Sequence, residues 1–140
     1  MLLHIVARGR IGRGPEAELV DRYLQRSAWA TRVTELPDRG GRPPAPATPC
    51  RTVLLDEKGA TLGSQEFARR LGRWRDDGIR EARFLIGAAD GFDDAERARA
   101  DLLIGFGAMT WPHLLARAML AEQLWRATSI LAGHPYHREG

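Results

Sequence analysis

Several stretches carry residues able to do chemistry. The ending HPYHREG gathers His134, Tyr136, His137, Arg138 and Glu139, groups that bind, stack or move protons. GRIGRG (9–14) combines glycine with arginine. Its G-x-x-G-x-G spacing reverses a dinucleotide fingerprint and no GK[ST] follows, so a nucleotide phosphate loop is not expected. The bland reading is a surface loop; the functional one is a basic loop brushing RNA phosphates. GAADG (87–91) and GAMTWP (107–112) supply glycines, where backbone amides can approach a ligand closely. His113, His134 and His137 form no helical i, i+4 pair and no H-E-x-x-H, so no metal site is expected. No G-x-S-x-G elbow is present, which removes a Ser-His-Asp hydrolase.

The totals narrow the partners. The 140 residues fit a single domain, 1–140. A net charge of +3 and a pI near 9.7 lean toward an anionic partner. Lys58 is the sole lysine, so arginine carries nearly all the positive charge. Cys50 is the only cysteine, which leaves no intrachain disulfide. No signal peptide is expected at the N-terminus. The longest apolar run, 114–132, is interrupted by Arg117, Glu122, Gln123 and Arg126. A cytoplasmic protein is the expectation.

Elements must position those residues. LLHIVA (2–7) reads as a buried strand, and Pro15 pre-organises the first turn of a helix. RVTEL (32–36) alternates as a strand. Residues 37–51 hold five prolines and two glycines and read as a surface loop. TVLLD (52–56) is expected as a central strand, followed by a turn at EKGA. Ser64, Phe67, Leu71 and Trp74 mark a capped helix that Gly78 ends. ARFLI (82–86) is a strand, Asp93 to Arg99 a short polar helix, and DLLIGF (101–106) a fifth strand. Pro112 opens the longest helix.

Strands alternating with helices imply an α/β fold: a mostly parallel sheet with helices on both faces. Ligands then bind beyond the carboxyl ends of the strands. The loops after Asp56, at GAADG and at GAMTWP occupy those ends. In the last helix, Leu114, Ala118, Ala121, Trp125 and Thr128 form one stripe, and Leu120, Leu124, Ala127 and Leu131 another. Glu122, Arg126 and Ser129 form a narrow polar strip. A helix apolar on two sides needs two covers, and a second subunit would supply one. His4, Trp74 and Trp125 read as packing residues.

LIGAADGF, FGAMTWPHLLAR and AEQLWRATSILAGHPYHRE together resemble the small SPOUT-superfamily methyltransferases that act on a pseudouridine of large-subunit ribosomal RNA. The resemblance runs nearly the whole chain and is most specific in the C-terminal third. It implies a C-terminal trefoil knot, a homodimer paired through long helices, and S-adenosyl-L-methionine held by the knotted loops. It also implies N3-methylation of pseudouridine in 23S ribosomal RNA on the assembled 70S ribosome. Carried over by position, the cofactor contacts are Leu55, Gly87, Phe106, Gly107, Ala108, Met109, Thr110 and Trp111. His134, Tyr136, His137 and Arg138 match the tail that lies near the target base.

In that frame His137 is the candidate base, Arg138 the group that steadies the anion or clamps a phosphate, and Tyr136 a stacking or orienting ring. The chain departs from the family pattern in several places. Asp90 stands where the family commonly has Glu. The Pro-rich loop replaces a longer helical segment of the larger members, so RNA contacts from that segment are not expected to carry over. Ala88 stands where the family usually has glycine, and would be strained if that position requires a positive φ. Ala108 stands where a basic residue is frequent. Ala88 and Ala108 favour the rival reading, a non-catalytic ribosome- or RNA-binding module that kept the fold. A flavodoxin-type nucleotide module is disfavoured by the missing phosphate loop.

Overall fold

The computed structural model describes residues 1–133; the expectations for His134, Tyr136, His137 and Arg138 lie outside the described residues. The elements run β1 (Leu2–Arg8), α1 (Pro15–Arg26), β2 (Thr31–Leu36), β3 (Cys50–Ala60), α2 (Ser64–Asp76), β4 (Glu81–Ile86), α3 (Asp94–Arg99), β5 (Leu102–Ile104) and α4 (His113–Leu131). Apolar strand runs joined by helices leave no room for tight hairpins, and every strand pair is parallel. The five strands lie in the order β2-β1-β4-β3-β5. The expected central strand, β3, is interior beside β4, which holds the middle place.

Alternation sorts the side chains. Leu3, Ile5, Ala7, Val53, Phe84 and Ile86 face one side and pack with Val20, Phe67, Leu71, Leu120 and Leu124 from the helices. α4 contacts both α1 and α2, so the chain itself covers much of its two apolar stripes. The Tyr23 and Trp125 rings meet at 5.6 Å. Glu122 and Arg126 pair as their spacing predicted, at 2.5 Å, whereas Ser129 of the expected polar strip is buried. α3 meets the other side of the sheet through Arg97, which bonds Asp56, a residue that alternates away from Val53 and Leu55.

The same side carries a buried polar cluster. His4 Nδ1–H donates to Glu81 Oε2 at 3.1 Å, and Thr34 Oγ1 lies 2.7 Å from Nε2, an arrangement the neutral ring satisfies. Arg83 donates to Glu81 and to the carbonyl of Pro44, and Ala47 N–H donates to Glu81. The proline-rich segment is therefore anchored over the sheet by this cluster.

Two local expectations are corrected. EKGA is not a turn: β3 continues to Ala60 and bends around β5, so that Leu55 and Ala60 both pair with Ile104. Gly59 and Gly105 allow this passage, since a Cβ on Gly59 would sit 2.5 Å from the Ile104 carbonyl carbon and one on Gly105 2.7 Å from Asp56 O. Gly63, not Ser64, is the N-cap of α2, and Ser64 Oγ instead donates to Gln123 at 2.7 Å.

Candidate functional site

Parallel strands deliver their following loops to one edge of the sheet, and at that edge the chain forms a cleft of about 620 Å³, within the range of small-molecule sites. Its floor is the middle of β3 (Leu55, Asp56), where the strand begins its bend, and the end of β4 (Ile86). One wall is the 87–92 loop; the other is the 105–112 segment leading into α4. Of the carried-over cofactor positions, Leu55, Gly87, Phe106, Gly107, Met109, Thr110 and Trp111 all line it, while Ala108 shares the loop without lining the cleft.

Each wall is built locally. Gly87 suits a tight loop: a Cβ there would lie 3.3 Å from Gly91, close enough to press on its backbone. The turn closes with Gly91 N–H donating to Ala88 O at 2.9 Å, and the positive φ falls on Gly91 (+71°). No non-glycine residue among those described has a positive φ, so Ala88 carries no such strain. In the other wall Gly107 takes φ +104°, and Trp111 Nε1–H donates to Phe106 O at 3.3 Å. Met109 and Trp111 stand exposed at the mouth, 77% and 41% accessible.

The electrostatics of the cleft have one sign. Glu16, Asp56, Glu57 and Asp90 face it against a single guanidinium, Arg97. Arg97 in turn donates to Asp56 at 2.8 Å and to Asp94 at 3.3 Å. Burial pushes the Asp56 carboxyl up, but the bonds from Arg97 and from Lys58 N–H outweigh it and hold Asp56 below its ordinary value. Such a lining attracts a cation and repels phosphate.

Asp56, Arg97 and Glu16 were not singled out as site residues from sequence. A signal for part of this arrangement was present: Asp93-x-x-Glu96 is a capping box, and both of its reciprocal bonds form. The cap orients α3 so that Arg97 reaches β3. Arg117 was read as an interruption of α4, yet it is 1% exposed, pairs with Glu35 at 2.5 Å and donates to Gly9 O.

A family model described as "Predicted SPOUT methyltransferase" matches residues 1–137. The chain belongs to that family and is a methyltransferase. Among its relatives are proteins named ribosomal RNA large subunit methyltransferase H. That of Rhizorhabdus wittichii is 76% identical over 140 residues, covering 100% of both chains. That of Novosphingobium aromaticivorans is 74% identical over 141 residues, again covering 100% of both. A more distant one, from Paramagnetospirillum magneticum, is 49% identical over 153 residues and covers 99% of each chain.

Proposed function

We propose that this protein, as a single domain with a functional tail at 134–140, transfers a methyl group from S-adenosyl-L-methionine to N3 of a pseudouridine in 23S ribosomal RNA on the assembled 70S ribosome. The named relatives support ribosomal RNA as the substrate. The observation that carries the donor assignment is the cleft itself. Apolar Leu55, Ile86 and Phe106 suit an adenine and a thioether chain, and four carboxylates suit a positively charged ligand. A nucleotide triphosphate would meet the wrong charge there.

A bound sulfonium supplies a methyl already activated by a neutral thioether leaving group. The protein then has to align that methyl with the nucleophile and take a proton from the imide nitrogen. The glycine-bearing walls present backbone N–H and C=O groups to the donor. Asp56, fixed by Arg97 and Lys58 N–H, holds a negative charge at the cleft floor. His137 removes the imide proton, Arg138 steadies the anion, and Tyr136 and His134 orient the base.

Chain geometry supports a homodimer. α4 starts at the cleft, where His113 and Leu114 line it. Its 19 residues span about 28 Å at 1.5 Å per residue. Its far end lies at the opposite edge of the sheet, where Ala28 N–H donates to Thr128 Oγ1 at 3.4 Å. Gly133 (φ +81°) releases the chain there. His137, four residues on, reaches at most about 14 Å, which is too short to return to its own cleft. That reach supports a tail that serves a partner's cleft. An open apolar groove between α1 and α4, lined by Leu19, Leu115 and Met119, offers that partner a seat. The passage of Ile104 and Gly105 inside the 56–60 bend supports the trefoil crossing. A cytoplasmic location accords with a ribosomal substrate, and no helix among the described residues is long and apolar enough to cross a membrane.

Calorimetric titration with S-adenosyl-L-methionine tests the donor. Saturable binding in the micromolar range is expected; no binding at millimolar cofactor would sink the assignment and leave a non-catalytic RNA-binding module.

A further inference from the structure

Two loops beside the cleft are locked into one another, and the function proposed above gives them no task. β1 and β2 are parallel neighbours, so the segments after them, 9–14 and 37–49, emerge side by side at the cleft edge of the sheet. Gly9 N–H donates to Leu36 O at 2.8 Å. Arg8 crosses from one segment to the other, donating to the carbonyls of Pro37 and Gly40. Glu35 accepts from Ile11 N–H at 2.8 Å and from Arg117, whose other amino group holds Gly9 O at 3.1 Å. Arg117 reaches from the first half of α4, which begins at the cleft. The first loop leads directly into α1, where Glu16 lines the cleft.

Arg8, Arg117 and Glu35 thus serve as internal ties. The four arginines within the two loops, Arg10, Arg13, Arg39 and Arg42, are exposed; Arg10 helps hold the Glu35 carboxyl below its ordinary value, and Arg13, Arg39 and Arg42 have no carboxylate partner among the described residues. Asp38 is the only acidic residue in either loop. Four guanidiniums on a braced backbone beside an acidic cleft divide the surface by charge: the cleft suits a cation and the neighbouring platform suits an anion.

We infer that this two-loop arginine platform docks phosphates of the ribosomal RNA strand that carries the target base. The inference rests on the RNA-methyltransferase reading and assigns its substrate surface. A guanidinium presents paired donors that match phosphate oxygens, and bracing lowers the ordering cost of binding. Phosphate contacts position RNA without reading its sequence. The acidic cleft repels those phosphates, so the backbone lies on the platform while a base enters the cleft.

The test compares Arg10→Gln/Arg13→Gln, Arg39→Gln/Arg42→Gln and the quadruple variant with Arg69→Gln/Arg73→Gln on the exposed face of α2. Readouts are S-adenosyl-L-methionine affinity, KM and kcat on 70S ribosomes, and binding of 23S ribosomal RNA between about 50 and 200 mM salt. The expected result is cofactor affinity within about twofold of wild type, and RNA binding and KM weakened about tenfold for each loop pair. The slope of log affinity against log salt becomes shallower by about 1–2 for each pair, with the α2 pair unaffected. A quadruple variant with wild-type RNA affinity and salt slope, or an equal loss in the α2 pair, overturns the platform. A wild-type protein that binds RNA through the platform yet leaves ribosomes unmethylated would instead overturn the methyltransferase reading, so the two failures are distinct.

Discussion

Arg97 on α3 donates its Nε–H to Asp56 at the floor of the cleft, 2.8 Å away and 41 residues back along the chain. Asp56 is nearly enclosed, with 4% of its side chain accessible, while Arg97 remains 29% accessible. The pair fastens the far end of the 87–93 loop to β3, so one wall of the cleft is held by a bond to its floor. Asp56→Asn and Arg97→Gln are expected to weaken S-adenosyl-L-methionine binding by about tenfold, the usual scale for one charge-assisted bond. Arg97→Lys should recover only part of it, because an ammonium lacks the planar fork. Cofactor titration checks this, and unchanged affinity in both loss variants would show the pair to be idle.

The passage of β5 inside the β3 bend predicts a steric consequence. Gly59→Ala would place its Cβ within 2.7 Å of three Ile104 backbone atoms, and backbone cannot rotate away as a side chain does. A loss of about 1–3 kcal/mol or more is expected, with cofactor binding falling alongside it. Gly12→Ala is the informative contrast: nothing lies within 4 Å of its Cβ, so only the positive φ of +73° is strained. Urea midpoints of the two variants measure the difference, and an equal, small loss would deny the close passage.

Acid should act in two stages. Burial, helped by Arg83 and Arg32, outweighs Glu81 and holds His4 below its ordinary 6.5. The unfolded chain then binds the extra proton more readily, so stability falls as pH drops below 6.5. Glu35 and Glu81 are pushed up by burial, but hydrogen bonds from Arg117 and Arg83 more than reverse this and hold them below their ordinary 4.5. Their contribution is present above 4.5 and is lost as pH falls through their lower folded values. His4→Gln should cost about 1–3 kcal/mol at pH 7 and flatten the first stage while leaving the Glu35 part of the second, which Arg117 supplies, in place. Chemical denaturation across pH checks both limbs; an unchanged first stage would free His4 of the role.

Chain reach predicts complementation between subunits. Deleting residues 134–140 should abolish methylation with cofactor binding and dimerisation intact, and Leu55→Arg should abolish cofactor binding by filling the cleft. Each is inactive alone. Equal mixtures allowed to exchange subunits should recover about a quarter of wild-type activity, because half the dimers then hold one complete site. No recovery despite demonstrated mixed dimers would mean that each tail serves its own cleft.

Much of the fold was legible because its signals are local. LLHIVA and ARFLI are apolar runs too short for helices, and Gly78 and Gly133 both take the left-handed conformation expected past a helix end. The strand-end loops of the site followed from parallel order alone. What escaped were features set by distant partners. Glu57 and Lys58 look like turn residues because they are exposed, yet pairing of Ala60 with Ile104 keeps that segment in β3. Arg117 interrupts the apolar run of α4 in sequence, and the Glu35 carboxylate and Gly9 carbonyl explain its burial. Ala88 looked like a liability until the loop placed its positive φ on Gly91.

The most direct measurement supplies labelled S-adenosyl-L-methionine and the purified protein to 70S ribosomes from a strain lacking the activity, with free 23S ribosomal RNA in parallel. Methyl transfer to the ribosomes, mapped to N3 of a single pseudouridine and dependent on the arginine platform, is the predicted result. No transfer to ribosomes, or transfer to naked RNA alone, would contradict the account.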